Sequence, residues 1–584
     1  MYERKNRDNQ KQLKIMSLED LVPQDHILRV IDQSIDFSFI YDLVKELYSQ
    51  EDWGKPGIDP VSLFKIVFLQ HLFGIRSMRQ TIKEIEVNMA YRWFIGYDIG
   101  EDIPHFSTFG KNYSRRFKDT DVFEQIFMHI LQEAIECGFV DASALFIDST
   151  HVKANANKKK KLKKEVPVEA KRYKQQLECE IDQDRERHGK KPFKHDNDDD
   201  GDFTGTSVQE TKTVTGSTTD PECGMFSKGE HETCFAYTVH TGCDRHNFIL
   251  GVEVSAGNVH DSVMFDPLYE QLDRRFPEAE AIVVDTGYKT PWIMKKIIDD
   301  GRAAVTGYKR PMTKKGFYRK YDYVYDQYND WMICPAGEEL RYATTDREGY
   351  REYKSDRRKC RECEHLHECT ESKTSQKVVR RHIWETYMEM AEEYRHTLKY
   401  KERYQERKET IERVFADAKE RHGMRYTLKR SLARVKAEVT LIYACMNLKK
   451  LAKWKQKNGL LRGGTACLIM WIAKMQTKYM KRGIGARSNS PFVYNLATPP
   501  PNLAVGLFYT CRSLIRMALF KLQKSCLANE HKTYMVRAAA MLSCAKTSID
   551  RKDDTYPVLS KKVTLCPTAK ALITMGKVNA ALLG

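Results

Sequence analysis

Asp148 closes the apolar run of SALFIDSTHVKAN (143–155), and Asp285 closes that of AEAIVVDTGY (279–288). Glu412 lies on the polar helical pattern KERYQERKETIERVFADAKERHGM (401–424). Taken singly, an Asp at a strand end is a common turn or cap residue, and a Glu on a polar helix is commonly just solvated. Three converging carboxylates, however, make a holder for divalent cations. Hard Mg²⁺ (or Mn²⁺) prefers carboxylate oxygens and keeps several waters, so a few acids plus a substrate phosphate complete its shell. Two such ions roughly 3.5–4 Å apart clamp the attacking and leaving oxygens of a phosphodiester displacement. In that arrangement Asp148 bridges both ions, while Asp285 and Glu412 hold one each. A second group, Cys334, Cys360, Cys363 and Cys369, has the pattern C-x25-C-x2-C-x5-C. Four thiolates can close a tetrahedral structural Zn site. His365 and His367 are substitutes, and a loop of free thiols is the alternative.

The elements around these residues decide whether the acids can meet. SALFIDSTHVKAN reads as a strand. FAYTVHTGCDRHNFILGVEVSAG (235–257) reads as two strands around the polar turn CDRHN. DSVMFDPLYEQLDRRF (261–276) is an amphipathic helix, AEAIVVDTGY a short buried strand, TPWIMKKIIDDG (290–301) a helix stopped by Gly301, and AAVTGY (303–308) a strand. After an insert comes the helix of 401–424, stopped by Gly423. This is the element order of a ribonuclease H-like α/β fold. Its first and fourth strands lie side by side; with Asp148 ending the first and Asp285 the fourth, both emerge at one sheet edge, and the last helix can bring Glu412 to it.

Before the sheet, residues 20–135 read as helical. Asp59-Pro60 supplies an N-cap and first-turn pair for PVSLFKIVFLQHLFGI (60–75), and Gly74 punctuates it. HFSTFGKNYSRRFKD (105–119) has a Ser/Thr start and a basic face. Short helices of this kind suit a helix-turn-helix DNA reader, with a plain helical dimerisation bundle as the alternative. Lys158–Asp202, containing KKKKLKK and DRERHGKKPFKHDNDDDGD, reads as a charged linker.

The chain resembles the DDE transposases of bacterial insertion sequences, in the branch with a helical N-terminal domain and a Cys-rich insert. The resemblance rests on YRWFIG (91–96), FSTFGKN (106–112), LFIDSTHVKANANKKK (145–160), TTDPECG (218–224), GNVHDS (257–262), VVDTGYKT (283–290), ICPAGEEL (333–340) and ETIERVFADAKERHGMR (409–425). It implies that Asp148, Asp285 and Glu412 are the catalytic triad. A Tyr-Arg-Glu-Lys signature surrounds the acid in related transposases. By it, Lys419 and Arg407 contact DNA phosphate. Lys419 has the expected spacing from Glu412. Tyr404 and Arg407 sit one residue too far away, so Lys408 competes for the Arg role. Thr286 replaces the usual small residue after the second Asp. His260 and Asp261 are second-layer candidates, with a helix N-cap as the other reading of Asp261.

Charge supports a nucleic-acid partner, with a qualification. The net charge is +17. From Gln456 onward there are 20 Lys and Arg against 4 Asp and Glu, whereas the preceding residues hold 77 against 76. The body must therefore bind DNA through local basic faces rather than a global field. The 456–584 tail reads as a frame-shifted or read-through extension with no selected fold. A basic DNA-binding appendage is the alternative. No apolar run is long enough to span a bilayer, and the polar start MYERKNRDNQKQ is no secretory signal. A cytoplasmic, nucleoid-associated protein is expected, with reduced thiols.

The expected organisation is a helical DNA-binding domain at 1–135 and a catalytic domain at 140–455. The catalytic domain contains the 158–217 linker and the 310–400 Cys-rich insert. The expected activity is metal-dependent cleavage and strand transfer on double-stranded DNA, at terminal inverted repeats and into a target. Two ends must be held together, so a homodimer or higher assembly is expected. The rivals are a simple nuclease without strand transfer and a decayed, non-catalytic DNA-binding remnant.

Overall fold

The N-terminal stretch forms helices, as its periodicity predicts. They are α1 (Leu18–Leu21), α2 (Ile27–Ser34), α3 (Phe39–Val44), α4 (Pro60–Leu72), α5 (Met78–Val87), α6 (Met89–Ile95), α7 (Thr108–Asn112) and α8 (Val122–Glu136). α4 begins where the Asp59-Pro60 pair puts it. The Asp59 carboxylate accepts the Ser62 N–H at 2.7 Å, and Pro60 fills the first turn. The computed structural model describes residues 13, 15–48, 57–167, 173–193, 211–228, 232–310 and 312–462. All of them belong to one compact unit, Met1–Cys467. Both readings of the basic tail concern residues that, beyond Arg462, lie outside the described ones.

The middle of the chain is mixed α/β. Its elements are β1 (Ala144–Lys153), β2 (Lys161–Pro167), α9 (Lys174–Arg187), β3 (Thr211–Ser217), β4 (Gly224–Lys228), β5 (Glu232–Cys243), β6 (Ile249–Ala256), α10 (Phe265–Arg275), β7 (Ala281–Val284), α11 (Pro291–Asp299) and β8 (Ala303–Thr306). The main sheet runs β4-β5-β1-β7-β8, with β6 also on β5. β5 is antiparallel to β1, β4 and β6, whereas β7 is parallel to both β1 and β8. The AIVV run of β7 is buried at every position, as a strand covered on both faces requires.

The insert folds into a second sheet. β9 (Val324–Asp326), β10 (Trp331–Ile333), β11 (Glu339–Thr345) and β12 (Tyr350–Ser355) are followed by α12 (Arg357–Arg361), α13 (Leu366–Cys369) and β13 (Val378–His382). Its strands are antiparallel in the order β13-β12-β11-β10-β9. Then come α14 (Glu385–Tyr394), α15 (Leu398–Gln405), α16 (Ile411–Arg421) and α17 (Leu432–Lys457).

Three expectations need correction. The 158–217 stretch is not simply a linker, because α9 lies within it. Leu177 and Ile181, one turn apart, are buried on α9, and Asp184 pairs with Arg351 of the insert at 2.5 Å. The charged residues on every side hid this short apolar stripe. The expected continuous helix of 401–424 is broken. α15 ends at Gln405, Glu406–Lys408 form a 3₁₀ turn, and Thr410 leaves helical backbone before α16 begins. Asp148 does not end β1 but lies inside it, because the antiparallel partner β5 carries the strand on to Lys153.

α17 ties the sheet to the N-terminal helices. Asn447 donates to the Ile249 carbonyl at 2.8 Å and accepts the Ile249 N–H at 2.9 Å. Lys455 donates to the Ser34 carbonyl at 2.7 Å and to Glu133 at 2.8 Å. One hydrophobic cluster consequently runs from Leu28 through Ile147 and Val283 to Leu451.

The junction of α4 with the end of α16 is built from two neutral histidines. His422 Nδ1 lies 2.8 Å from the His71 carbonyl. Burial, then Lys429 and His422, push His71 down to about 3, and burial pushes His422 down to about 4. Both folded values lie below the unfolded one, so this stabilisation is complete above about pH 6.5 and is lost as pH falls toward them. Buried carboxyls such as Asp244, pushed up to about 6 by burial, act in the opposite sense. The informative quantity is therefore a difference. Thermal unfolding of His71→Gln should lose less stability than wild type between pH 6.5 and 4.5. Parallel profiles would refute this account of the junction.

Candidate active site

The register of β1 and β7 brings the two aspartates together. Ile147 pairs with Val284 as the last partners of the parallel ladder, so Asp148 and Asp285 are the next residue on each strand. There β7 stops and β1 continues. One guanidinium spans them. Arg407 donates through Nη2 to Asp148 Oδ2 at 2.6 Å and through Nη1 to Asp285 Oδ1 at 3.0 Å. The Arg407 side chain is 7% exposed and that of Asp148 17%, whereas Asp285 at 45% faces solvent. The buried Nε–H of Arg407 has no hydrogen-bond partner among the described residues.

Electrostatics follow from this burial. Burial pushes the Asp148 carboxyl up to about 6; Arg407 and the Ser149 N–H oppose the shift, and Asp285 adds to it. Burial alone would lower Arg407, but Asp148 and then Asp285 outweigh it and hold its value above the ordinary one. The site thus contains two acids that share one cation from the protein itself, which offsets part of their charge.

The break before α16 explains the irregular spacing of the Tyr-Arg-Glu-Lys residues. Tyr404 and Arg407 stand on one side of it, Glu412 and Lys419 on the other, and the extra residue is taken up at Thr410. Arg407, rather than exposed Lys408, reaches the aspartates. Lys419 donates to Thr150 Oγ1 at 2.5 Å, and Thr150 shares the β1 face of Asp148. Glu412, two turns before Lys419, shares its helix face but is exposed. No hydrogen bond or ion pair joins Glu412 to the aspartates. Among the described residues no group of three or more His, Cys, Asp or Glu side chains is arranged to hold a metal ion.

Tyr404 braces Arg407. Its ring stacks on Tyr400 at 5.4 Å, and the Arg407 Cζ lies 5.6 Å from its centroid. Its hydroxyl occupies the space that Gly307 leaves open. A Cβ at Gly307 would lie 2.5 Å from that hydroxyl and 2.7 Å from Thr286 Cγ2. Gly307→Ala should therefore displace Tyr404 and misplace Arg407. A loss of roughly 10–100-fold in strand cleavage is expected with the fold retained. Parallel cleavage assays and melting curves check it, and unchanged cleavage would remove Tyr404 from the site.

Behind Asp148, on the other sheet face, lies a group not anticipated from the sequence, His240, beside Asp261, which was. His240 pairs in register with Ser149. It is fully buried, with Nε2 3.0 Å from Ser255 Oγ and Nδ1 3.4 Å from the Tyr288 hydroxyl. Burial pushes it down to about 3, so it is neutral. Asp261 lies beside it, 3.8 Å from Nδ1. The N-cap of the turn at 261–263 is His260, whose ring accepts the Ser262 N–H. Burial and then the Asp285 charge raise Asp261, against the pull of Ser149 and His260. Only the cross-strand register signals His240, and no local motif carries that information.

A family model described as Transposase domain (DUF772) matches residues 16–115, most of the N-terminal helices. One described as Transposase DDE domain matches residues 333–452, which include the four insert cysteines, Arg407, Glu412 and Lys419. Asp148 and Asp285 lie outside both matches. A search of curated proteins found no match.

Proposed function

Starting from the chain as an insertion-sequence DDE transposase, we propose that it binds the terminal inverted repeats of its element, cleaves there and joins the freed 3′-hydroxyl to target DNA. The observation that carries this reading is the side-by-side emergence of Asp148 and Asp285, drawn to one cation. The order and directions of β6-β5-β1-β7-β8 support a ribonuclease H-like core. In this reading residues 1–135 bind DNA, 140–455 catalyse, and two ends are held by a dimer or larger assembly.

The donor set fits Mg²⁺ or Mn²⁺. Both aspartates offer hard oxygens, and burial makes Asp148 a carboxylate that needs a positive neighbour. Asp148 and Asp285, with Glu412 from α16, would hold the ions. Divalent ions there would activate the attacking oxygen and neutralise the leaving one. Lys419 and Arg407 would hold the scissile phosphate from the α16 side. The exposed basic residues Arg425, Lys429, Arg430 and Arg434 follow α16, and Arg434 lies over the Tyr113 ring at 5.6 Å. Exposed Lys111, Arg115 and Lys118 flank Tyr113. These groups support a local basic face for the DNA backbone. In-line attack needs no covalent protein–DNA intermediate.

The test uses DNA carrying the element's own ends, with Mg²⁺ or with chelator, for wild type and Asp285→Asn. Metal-dependent cut and joined products that vanish in the variant support the reading. Cut products without joined ones favour a nuclease. Binding without chemistry favours a remnant that only binds DNA.

A further inference from the structure

The second sheet has only a small core of its own. Its own buried apolar side chains are Tyr323, Met332, Leu340, Tyr353 and Val379, with Cys334 and Cys369 packed against them. Small units of this kind commonly need a disulfide or a metal as a staple. No disulfide is formed here, since all the described cysteines are free.

Three turns bring four cysteines to one end of this sheet. Cys334 starts the β10–β11 turn, where its N–H donates to the Glu338 carbonyl at 2.9 Å and the Gly337 N–H returns to the Cys334 carbonyl at 2.8 Å. Gly337 has φ +82, so the tight turn requires a residue without a Cβ. Cys360 lies in α12, and the Cys363 N–H donates to its carbonyl at 3.3 Å. Cys369 ends α13, with Sγ 3.3 Å from the Tyr323 hydroxyl. All four line a single cavity of about 30 Å³, together with Lys359 and Lys377.

We infer that Cys334, Cys360, Cys363 and Cys369 bind a structural zinc ion that staples this sheet. The four cysteines line one cavity, but as they stand no three of the described side chains are arranged to hold a metal ion. Each cysteine sits on a turn or a short helix, where rotation about its one χ angle moves the sulfur between staggered wells. Thiolate is the ligand form; Lys377, which donates to the Cys369 carbonyl at 2.6 Å, brings positive charge to the cavity, while Lys359 is paired with Glu338 at 2.6 Å. His365 also lines the cavity, but its side chain is 51% exposed and lies beside Glu368. The four-sulfur set leaves no open ligand position, so the role is structural rather than catalytic.

This inference stands apart from the acid site. The full chain, purified without chelator, should carry one zinc by elemental mass spectrometry. The double variant Cys360→Ser, Cys363→Ser should lose it, while Asp285→Asn should keep it. Because the double variant can misfold, wild type is also titrated with a mercurial and zinc release followed with a chromogenic chelator. Release in step with thiol modification is expected. Cobalt in place of zinc should give a thiolate-to-cobalt charge-transfer band. A chain without zinc, one with iron in its place, or zinc that survives both the double variant and the mercurial would overturn the inference.

Discussion

Asp285→Asn and Asp148→Asn should each lower strand cleavage by on the order of 10³-fold or more while leaving binding to the element's ends within a few-fold of wild type. An amide keeps the size of the side chain but removes the negative charge that divalent ions require. Binding should survive because DNA is itself an anion, and neutralising an acid at the site reduces repulsion. The two variants should differ in stability. Asp148 is the more buried and lies 2.6 Å from Arg407, whereas Asp285 is nearly half-exposed and lies 3.0 Å away. Loss of Asp148 therefore leaves the buried guanidinium worse paired, and Asp148→Asn should melt at the lower temperature. Cleavage gels, end-binding titrations and melting curves on the same preparations check all three statements. Retention of metal-dependent cleavage in either variant would sink the triad reading.

Arg407→Ala should tighten Mn²⁺ binding to the DNA-free protein by about tenfold while strand cleavage falls. The guanidinium stands where it satisfies both aspartates at once. Removing one partner of a buried ion pair typically costs about 3–5 kcal/mol, and here it would leave two like charges side by side. A divalent cation that enters restores the balance. A full return of about 3 kcal/mol would be roughly 100-fold in affinity, but solvent already screens Asp285, so about tenfold is expected. Arg407→Lys keeps a charge and should tighten binding less. The loss of cleavage has a separate cause, because the phosphate contact assigned to Arg407 goes with it. Calorimetric Mn²⁺ titration without DNA is the decisive measurement. An unchanged or weaker affinity in Arg407→Ala would mean that the arginine does not compete with metal.

Much of the architecture is legible locally. Asp59 and Pro60 announce α4, Gly301 and Gly423 mark helix ends, and the alternation in FAYTVHTGCDRHNFILGVEVSAG marks two strands, because caps, turns and side-chain periodicity act over a few residues. The candidates Asp148 and Asp285 were readable from apolar runs ending in acids, Glu412 from its place on a polar helix and the cysteines from their spacing, whereas Arg407 and Lys419 came only from the resemblance to DDE transposases. What resisted reading depends on partners distant in the chain. α9 packs Leu177 and Ile181 with Trp384 and pairs Asp184 with Arg351 of the insert. The helix before Glu412 breaks in a segment whose arginine bonds aspartates 122 and 259 residues away. His240 matters only through its register with Ser149, and the cap of the 261–263 turn is His260 while Asp261 lies 3.8 Å from His240. The sequence by itself determined which residue types were on hand and which short elements carry them. The tertiary structure alone decided that the two aspartates share one arginine, because strand register and the burial of opposite charges are set by contacts that no local pattern encodes.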